Sequence, residues 1–204
     1  MNNIKSLLAK NLDAKSFSKE YFRCLSNVLD QVDVGAIAAF IEELQSAIKG
    51  GNTVFFIGNG GSAATASHMV NDISFGSRQD DEDLPLRCLA LTDNVAVITA
   101  LANDCGYEHV FVRQLKNLYK PGDKLVAISV SGNSPNILAA VEWVKKQGGV
   151  VIGLVGFEGG KLKGLSDIAI EAKAVKGEYG LVEDTHTIIG HLVYTWLWFN
   201  KRSV

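Results

Sequence analysis

Four side chains in this sequence have the types and the spacing of a metal site or an acid–base site. His68 and Asp72 stand four residues apart, and Glu183 precedes His191 by eight. On helices, each pair falls broadly on one side, because four residues make about one turn and eight leave about 80° between them. Two imidazoles and two carboxylates are an acceptable ligand set for zinc or another divalent ion. Without a metal, the same residues offer a carboxylate base and an imidazole acid.

A glycine-rich turn stands shortly before His68 and predicts an anion site. Residues 58–62 read Gly-Asn-Gly-Gly-Ser and follow Thr53–Ile57, an apolar segment typical of a buried strand. The next residues predict a helix with Ser62 as its N-cap. Glycines let the backbone approach a ligand, and a helix N-terminus offers it free N–H groups.

A second loop, at residues 129–134, reads Ser-Val-Ser-Gly-Asn-Ser and also joins an apolar strand to a helix. Pro135 then occupies a favoured position in the first helical turn. If the two preceding strands are neighbours where the strand order reverses, both loops face one crevice. Serine and backbone donors without lysine suit a phosphate monoester, so we expect a phosphate between Gly60–Ser62 and Ser129–Ser134.

Strands and helices alternate from residue 52 onwards, which predicts an α/β fold with a mostly parallel sheet covered on both faces, a three-layer α/β/α arrangement. We expect a single domain over residues 1–204, with a helical N-terminal arm at 1–50 and an α/β core at 52–200. The predicted strands are 54–57, 87–91, 124–129, 150–155 and 167–171. The predicted helices of the core are 62–75, 94–103, 107–118, 135–147, 160–165 and 181–199.

Composition and charge argue against several classes of partner. The 204 residues are 47% hydrophobic with a net charge of -2, so no basic surface predicts a nucleic-acid partner. Three cysteines without paired spacing favour the reducing cytoplasm. The most apolar tract, 187–199, is shorter than the roughly 20 residues of a membrane span, so no membrane partner is expected. The acidic residues 79–83 predict a surface loop.

The two loops together resemble the SIS (sugar isomerase) domain, and the histidine pattern narrows the resemblance to the phosphoheptose isomerases. The likeness extends through the segments 91–93, 99–104, 107–114 and 183–186 and His191, and covers roughly residues 30–200. It implies a flavodoxin-like five-stranded parallel core, zinc, and a homotetramer with active sites between subunits. It also implies interconversion of sedoheptulose 7-phosphate and a heptose 7-phosphate, for which the chemistry is a cis-enediol pathway.

Roles follow from this resemblance residue by residue. The serines would hold the phosphate, Asn59 would contact the sugar, and Asp93 would either orient a substrate hydroxyl or cap the next helix. The predicted substrate-binding residues are Asn59, Gly60, Ser62, Asp93, Ser129, Ser131 and Ser134. The predicted catalytic residues are Asp72, Glu183 and His191, and the predicted metal ligands are His68, Asp72, Glu183 and His191.

The sequence departs from the family pattern at three of these places. Asp72 stands where the family usually has Glu, and it reaches one methylene less far. Glu183 replaces a Gln and adds a negative charge. Gly76 stands where an Arg often contacts the substrate, with Arg78 nearby. These departures keep open a catalytically silent SIS module that binds a sugar phosphate or a protein partner.

Weaker readings also remain at this stage. The turn at 58–62 with Ala63 fits the dinucleotide pattern G-x-G-x-x-A, but the acidic residue expected about 20 positions later is missing. Each histidine–carboxylate pair could be structural, and a role for His186 on the helix surface or behind the site is at least as well supported as catalysis.

Overall fold

The computed structural model describes residues 3–10, 12–76 and 86–200, which are built around a parallel five-stranded sheet. Its strands are β1 (Thr53–Ile57), β2 (Arg87–Ala90), β3 (Lys124–Ser129), β4 (Val150–Gly156) and β5 (Ile168–Ala172). The strand order is β2-β1-β3-β4-β5, and every neighbouring pair is parallel. This is the flavodoxin-like order, whose reversal point lies between β1 and β3. The predicted fold class is confirmed.

Helices connect the strands and cover the sheet. They are α1 (Asn3–Leu8), α2 (Ala14–Leu29), α3 (Val34–Gly50), α4 (Gly61–Val70), α5 (Val95–Cys105), α6 (Val110–Leu118), α7 (Pro135–Lys146), α8 (Gly160–Leu165) and α9 (Tyr179–Phe199). A π-helical turn, Asn71–Gly76, continues α4, and a 3-10 turn, Tyr107–His109, precedes α6.

Two apolar cores lie on opposite faces of the sheet because successive strand residues point to opposite sides. In β1, Phe56 packs in the core under α3, α4 and α9, whereas Phe55 packs in the core under α6, α7 and α8. Both side chains are almost fully buried. Burial on both faces explains why these strands are continuous apolar runs in the sequence rather than alternating ones.

Some local predictions were wrong. Ser62 is not the N-cap of α4, because Gly60 takes that place with a φ of 54° and the helix begins at Gly61. A glycine reaches this left-handed region without a steric penalty, so the helix starts earlier than a serine cap implies. The predicted helix 62–75 is α-helical only to Val70. The acidic segment 79–83 and Arg78 lie outside the described residues.

Within the described ranges, no single helix is long and apolar enough to cross a bilayer; only α2 and α3, taken as a pair bent by 71°, pass on length and composition.

The buried His186 ties α9 to the centre of the sheet. Its ring is 1% exposed, and Nε2 donates a hydrogen bond to the carbonyl oxygen of Val155 at 3.2 Å. Nδ1 is buried without a hydrogen-bond partner. Burial disfavours the charged ring and lowers the pKa of His186 to about 4, although the bond to Val155 acts in the opposite direction. The native protein therefore holds this histidine neutral.

We predict that His186 makes the fold less stable in mild acid. In the unfolded chain this histidine binds a proton below about pH 6.5, whereas in the folded protein it stays neutral down to about pH 4. Its contribution to stability is therefore complete above pH 6.5 and is lost as the pH falls from 6.5 to 4. At pH 5 the loss is on the order of 2 kcal/mol. In urea unfolding at pH 7.5 and pH 5, His186→Gln should reduce the difference between the two free energies of unfolding.

The matched control is His109→Gln, which removes an exposed histidine instead of the buried one. An identical loss of stability in His186→Gln and the unchanged protein would contradict this account of the buried ring.

Candidate functional site

The glycine-rich turn at residues 58–62 and the loop at residues 129–134, called the serine loop below, meet at the reversal point of the sheet. β1 and β3 are neighbours, with Ile57 opposite Ala127, so the loops that follow them leave the same sheet edge side by side. Between them lies a cavity of about 170 Å³, which is called the serine cavity below. Its polar and charged lining consists of Asn59, Ser62, Ser129, Ser131, Ser134, Tyr179 and Glu183. The structure thus brings most of the predicted substrate-binding residues together.

Glycines shape the first side of this cavity. A Cβ on Gly58 would lie 2.3 Å from the carbonyl oxygen of Ser62, so the turn closes this tightly only without a side chain there. Gly60 then turns the chain into α4. Ser62 follows within the first helical turn, 5% exposed, with its side chain lining the cavity.

The serine loop forms the other side of the cavity. Ser134 is the N-cap of α7, yet its hydroxyl does not cap the helix and lies 3.2 Å from that of Ser129. A Cβ on Gly132 would lie 1.9 Å from the carbonyl oxygen of Gly159, which packs this loop against the turn before α8. α4 and α7 both begin beside the cavity. Their N-terminal partial charges and the neutral hydroxyls favour an anion.

A second constellation lies farther along α4. Nε2 of His68 is 2.8 Å from Nε2 of His191, and Oδ2 of Asp72 is 3.2 Å from the first nitrogen and 3.7 Å from the second. These three residues are called the His–Asp cluster below. Both rings are about half exposed, whereas Asp72 is largely covered. Asp72 belongs to the π-helical turn, a feature that often occurs at functional sites.

The His–Asp cluster has the donor set of a divalent-metal site. Its two imidazole nitrogens and one carboxylate oxygen all lie within 4.8 Å of one another. Zinc accepts this combination, and a fourth position would stay open for a water or a substrate oxygen. Half-exposed rings leave that position accessible. The residues therefore fit a catalytic rather than a closed structural metal site.

The two constellations lie at different levels of one helix pair. Gly61 of α4 is beside Glu183 of α9, where a Cβ would come within 2.5 Å of the carboxylate, and His68 meets His191 farther on. The two helices therefore run side by side in the same direction. Eight residues separate Glu183 from His191, or about 12 Å of helix axis. The serine cavity and the His–Asp cluster thus lie at two levels of the same helix pair.

The structure places two further predicted residues, Glu183 and Asp93, outside the His–Asp cluster. Glu183 is not in the His–Asp cluster, because its carboxylate lines the serine cavity. Asp93 lies beside β2 and lines a different, mostly apolar cavity of about 620 Å³. Its carboxylate accepts hydrogen bonds from Ser67 and from Thr92. Asp93 does not cap α5 either, since that cap is Asn94, which accepts from the backbone of Val97 at 3.1 Å.

Three residues of the site were not predicted from the sequence. Tyr179 lines the serine cavity at the first turn of α9. Asn136 and Tyr107 are both hydrogen-bonded to Asn59. A signal for Asn136 was present, because an amide just after Pro135 in an otherwise apolar helix start must find a buried partner.

Comparison with known proteins places this geometry in context. The family profile of the SIS domain matches residues 17–156. The phosphoheptose isomerase of Rhodospirillum rubrum is 39% identical over 158 residues, which cover 78% of this chain and 82% of that relative. The phosphoheptose isomerase of Aneurinibacillus thermoaerophilus is 38% identical over 169 residues, which cover 83% and 79%.

Solved structures agree with these relatives. The phosphoheptose isomerase GmhA from Neisseria gonorrhoeae has a TM-score of 0.78 at 26% identity, covering 90% of this chain and 97% of that one. A phosphoheptose isomerase from Francisella tularensis has a TM-score of 0.79 at 28% identity, with coverages of 91% and 98%.

We predict that the serine cavity binds inorganic phosphate and that Ser131→Ala weakens this binding. Loss of one hydroxyl donor to a charged acceptor should cost about 1–3 kcal/mol in binding free energy. Isothermal calorimetry with phosphate measures the difference. Ser18→Ala is the control, because that exposed hydroxyl on α2 bonds only to the backbone of Ala14 among the described residues. Equal affinity in Ser131→Ala and the unchanged protein would rule out this role for the loop.

Proposed function

This chain belongs to the phosphoheptose isomerase family of SIS-domain proteins, and from that premise we propose that it interconverts sedoheptulose 7-phosphate and an aldoheptose 7-phosphate. The observation that carries the proposal is that a cavity rich in hydroxyl donors and the His–Asp cluster lie along the same pair of helices. The reaction moves a carbonyl between C2 and C1 through a cis-enediol, which requires a base, an acid and stabilisation of an oxyanion.

The distance between the levels of the serine cavity and the His–Asp cluster suits the proposed substrate. In a heptose 7-phosphate, the phosphate and the reacting carbonyl are at opposite ends of the carbon chain. With the phosphate among Ser62, Ser129, Ser131 and Ser134, the chain would extend beside α9 from the level of Glu183 to that of His191. About 12 Å of helix axis separates those levels, so the carbonyl end would reach the His–Asp cluster.

Asp72 and His191 are the residues that we assign to proton transfer at the carbonyl end. The carboxylate of Asp72 accepts the proton from the carbon beside the carbonyl, and the ring of His191 donates a proton to the oxygen. His68 contacts both and orients them. Glu183, placed beside the serine cavity, contacts the phosphate-proximal part of the sugar instead of acting as the base.

We further propose that the His–Asp cluster binds zinc or another divalent ion. His68, Asp72 and His191 would hold it, because their donor atoms already converge and match the preferences of such ions. When bound, the ion would supply Lewis-acid polarisation of a substrate oxygen. Asp72 is then a poorer base, so ion binding and proton abstraction compete for the same carboxylate.

The assembly that we propose is a homotetramer with active sites between subunits. Its support is an apolar stripe on α9, where Ile188, Leu192, Trp196 and Phe199 share one helix face and are 36%, 45%, 36% and 78% exposed. A contiguous patch of exposed apolar side chains is typical of a surface that contacts another protein chain. His191, which is on the same helix, would then lie near a subunit boundary.

The remaining assignments follow from the same family membership. We propose that the chain acts as a single SIS domain in the cytoplasm, with a phosphorylated sugar as its partner and neither a nucleic acid nor a membrane. The net charge of -2 and the absence of a single spanning helix among the described residues support this assignment.

The activity and the division between the two carboxylates can be tested together. We expect the purified protein to turn over sedoheptulose 7-phosphate and Asp72→Asn or His191→Ala to lower kcat by about 100-fold or more, the usual contribution of a general acid or base. Glu183→Gln, which installs the amide usual in the family, should retain kcat within about tenfold. Discontinuous detection of the aldose product measures these rates.

Two further outcomes separate the alternatives. A chelator should reduce turnover if the cluster works with a metal, and added zinc should restore it. A protein that binds the sugar phosphate but does not convert it would be a silent SIS module. If Glu183→Gln, rather than Asp72→Asn, abolishes turnover, the assignment of the base is wrong.

We predict that the apolar stripe on α9 holds the tetramer together. Light scattering at micromolar concentration should give four times the chain mass, and Leu192→Glu should lower it, because a charge in a closed apolar contact is costly. Lys116→Glu, a charge change on α6, is the control. A monomer mass for the unchanged protein would contradict the proposed assembly.

A further inference from the structure

A reciprocal amide pair joins the two loops of the serine cavity. Asn59, in the glycine-rich turn, donates from Nδ2 to Oδ1 of Asn136 at 2.9 Å, and Asn136 donates from Nδ2 to Oδ1 of Asn59, also at 2.9 Å. Asn136 follows the serine loop as the second residue of α7 and is 1% exposed. The pair thus links the segment that follows β1 to the segment that follows β3.

One backbone group fixes the orientation of both amides. The N–H of Ile137 donates to Oδ1 of Asn136 at 3.0 Å, and a backbone N–H can only donate. The oxygen of Asn136 must therefore face Ile137 and Nδ2 of Asn59, so its own nitrogen must face Oδ1 of Asn59. Flipping either amide would set two donors or two acceptors against each other.

Tyr107 completes the arrangement from outside. Its hydroxyl donates to the same Oδ1 of Asn59 at 2.9 Å, and its side chain is 52% exposed. The oxygen of Asn59 thus accepts two hydrogen bonds, which fills its two lone pairs. One N–H of the Asn59 amide remains, without an acceptor in the described part of the chain, on a residue that lines the serine cavity.

We propose that Asn136 and Tyr107 are positioning residues that hold Asn59 so that its remaining N–H donates to an oxygen of the bound sugar phosphate. This inference rests on the proposed function, since it concerns the same cavity. Neither residue touches the reacting atoms. Their effect is to hold one donor in place before the substrate arrives, which avoids the cost of ordering it on binding.

The test is a pair of double-mutant cycles. Tyr107→Phe removes only the phenol hydroxyl at a half-exposed position, and should lower kcat/KM by about two- to tenfold, the range for one neutral hydrogen bond. Asn136→Asp keeps an acceptor for Ile137 but has no N–H for Asn59, and should lower it by about tenfold or more. In an Asn59→Ala background, both substitutions should have no further effect on kcat/KM.

A purely structural role predicts a different result. If Asn136 or Tyr107 only supported the loops, each substitution would lower kcat/KM by the same factor in the unchanged protein and in the Asn59→Ala variant. That result overturns the proposal, and so does the absence of any effect in both backgrounds. Tyr119→Phe removes a phenol bond to the backbone of Asp123, away from the cavity, and should leave kcat/KM unchanged. Thermal unfolding of each variant identifies any that fails to fold, in which case the Tyr107→Phe cycle decides.

Failure of the proposed function is separately visible. If the unchanged protein does not convert sedoheptulose 7-phosphate, the same cycles are measured as calorimetric affinities for that compound. Coupling between Asn59 and each partner then supports the positioning role without any isomerase activity, and independent effects overturn it.

Discussion

The close parallel packing of α4 against α9 is the constraint on which the site depends. Gly190 of α9 permits this approach, since a Cβ there would lie 2.8 Å from Cγ of Met69. Gly61, at the start of α4, leaves room in the same way for the carboxylate of Glu183. A side chain at either glycine would meet the Met69 or the Glu183 side chain inside this contact. His68 and His191, 123 positions apart in the chain, meet only because the two backbones approach this closely.

The serine cavity and the His–Asp cluster differ in the charged groups that they contain. The serine cavity is served by hydroxyls and by two helix N-termini, with Glu183 as the charged residue in its lining. A carboxylate at the positive end of α4 is itself favourable before any ligand binds. A bound phosphate therefore meets both a strong set of neutral donors and one repulsive neighbour. About 12 Å along the axis of α9 separates this negative region from the level of His191 in the His–Asp cluster.

The sequence was sufficient for the strands, for the strand order through the family resemblance, and for the positions of the glycine-rich turn and the serine loop. Apolar runs and glycine turns are local signals, so they are readable without the fold. The start of α4 was misassigned because a glycine with positive φ replaced the expected serine cap. Glu183 lies at the serine cavity and not in the His–Asp cluster, and Asn94 instead of Asp93 caps α5. Spacing along a helix or beyond a strand does not determine which neighbour a side chain faces. The partners of Asn59 are distant in the chain, and only the tertiary structure shows them.

The position of α9 in the chain has a consequence for biosynthesis. All five strands, the glycine-rich turn and the serine loop precede it, so a ribosome synthesises these segments before Glu183 and His191. Domain-level structure can form as the chain emerges, at about 5–20 residues per second. Tyr179 and Glu183 of α9 complete the lining of the serine cavity, and His191 completes the His–Asp cluster. Neither end of the site is therefore complete in the nascent protein until α9 has docked.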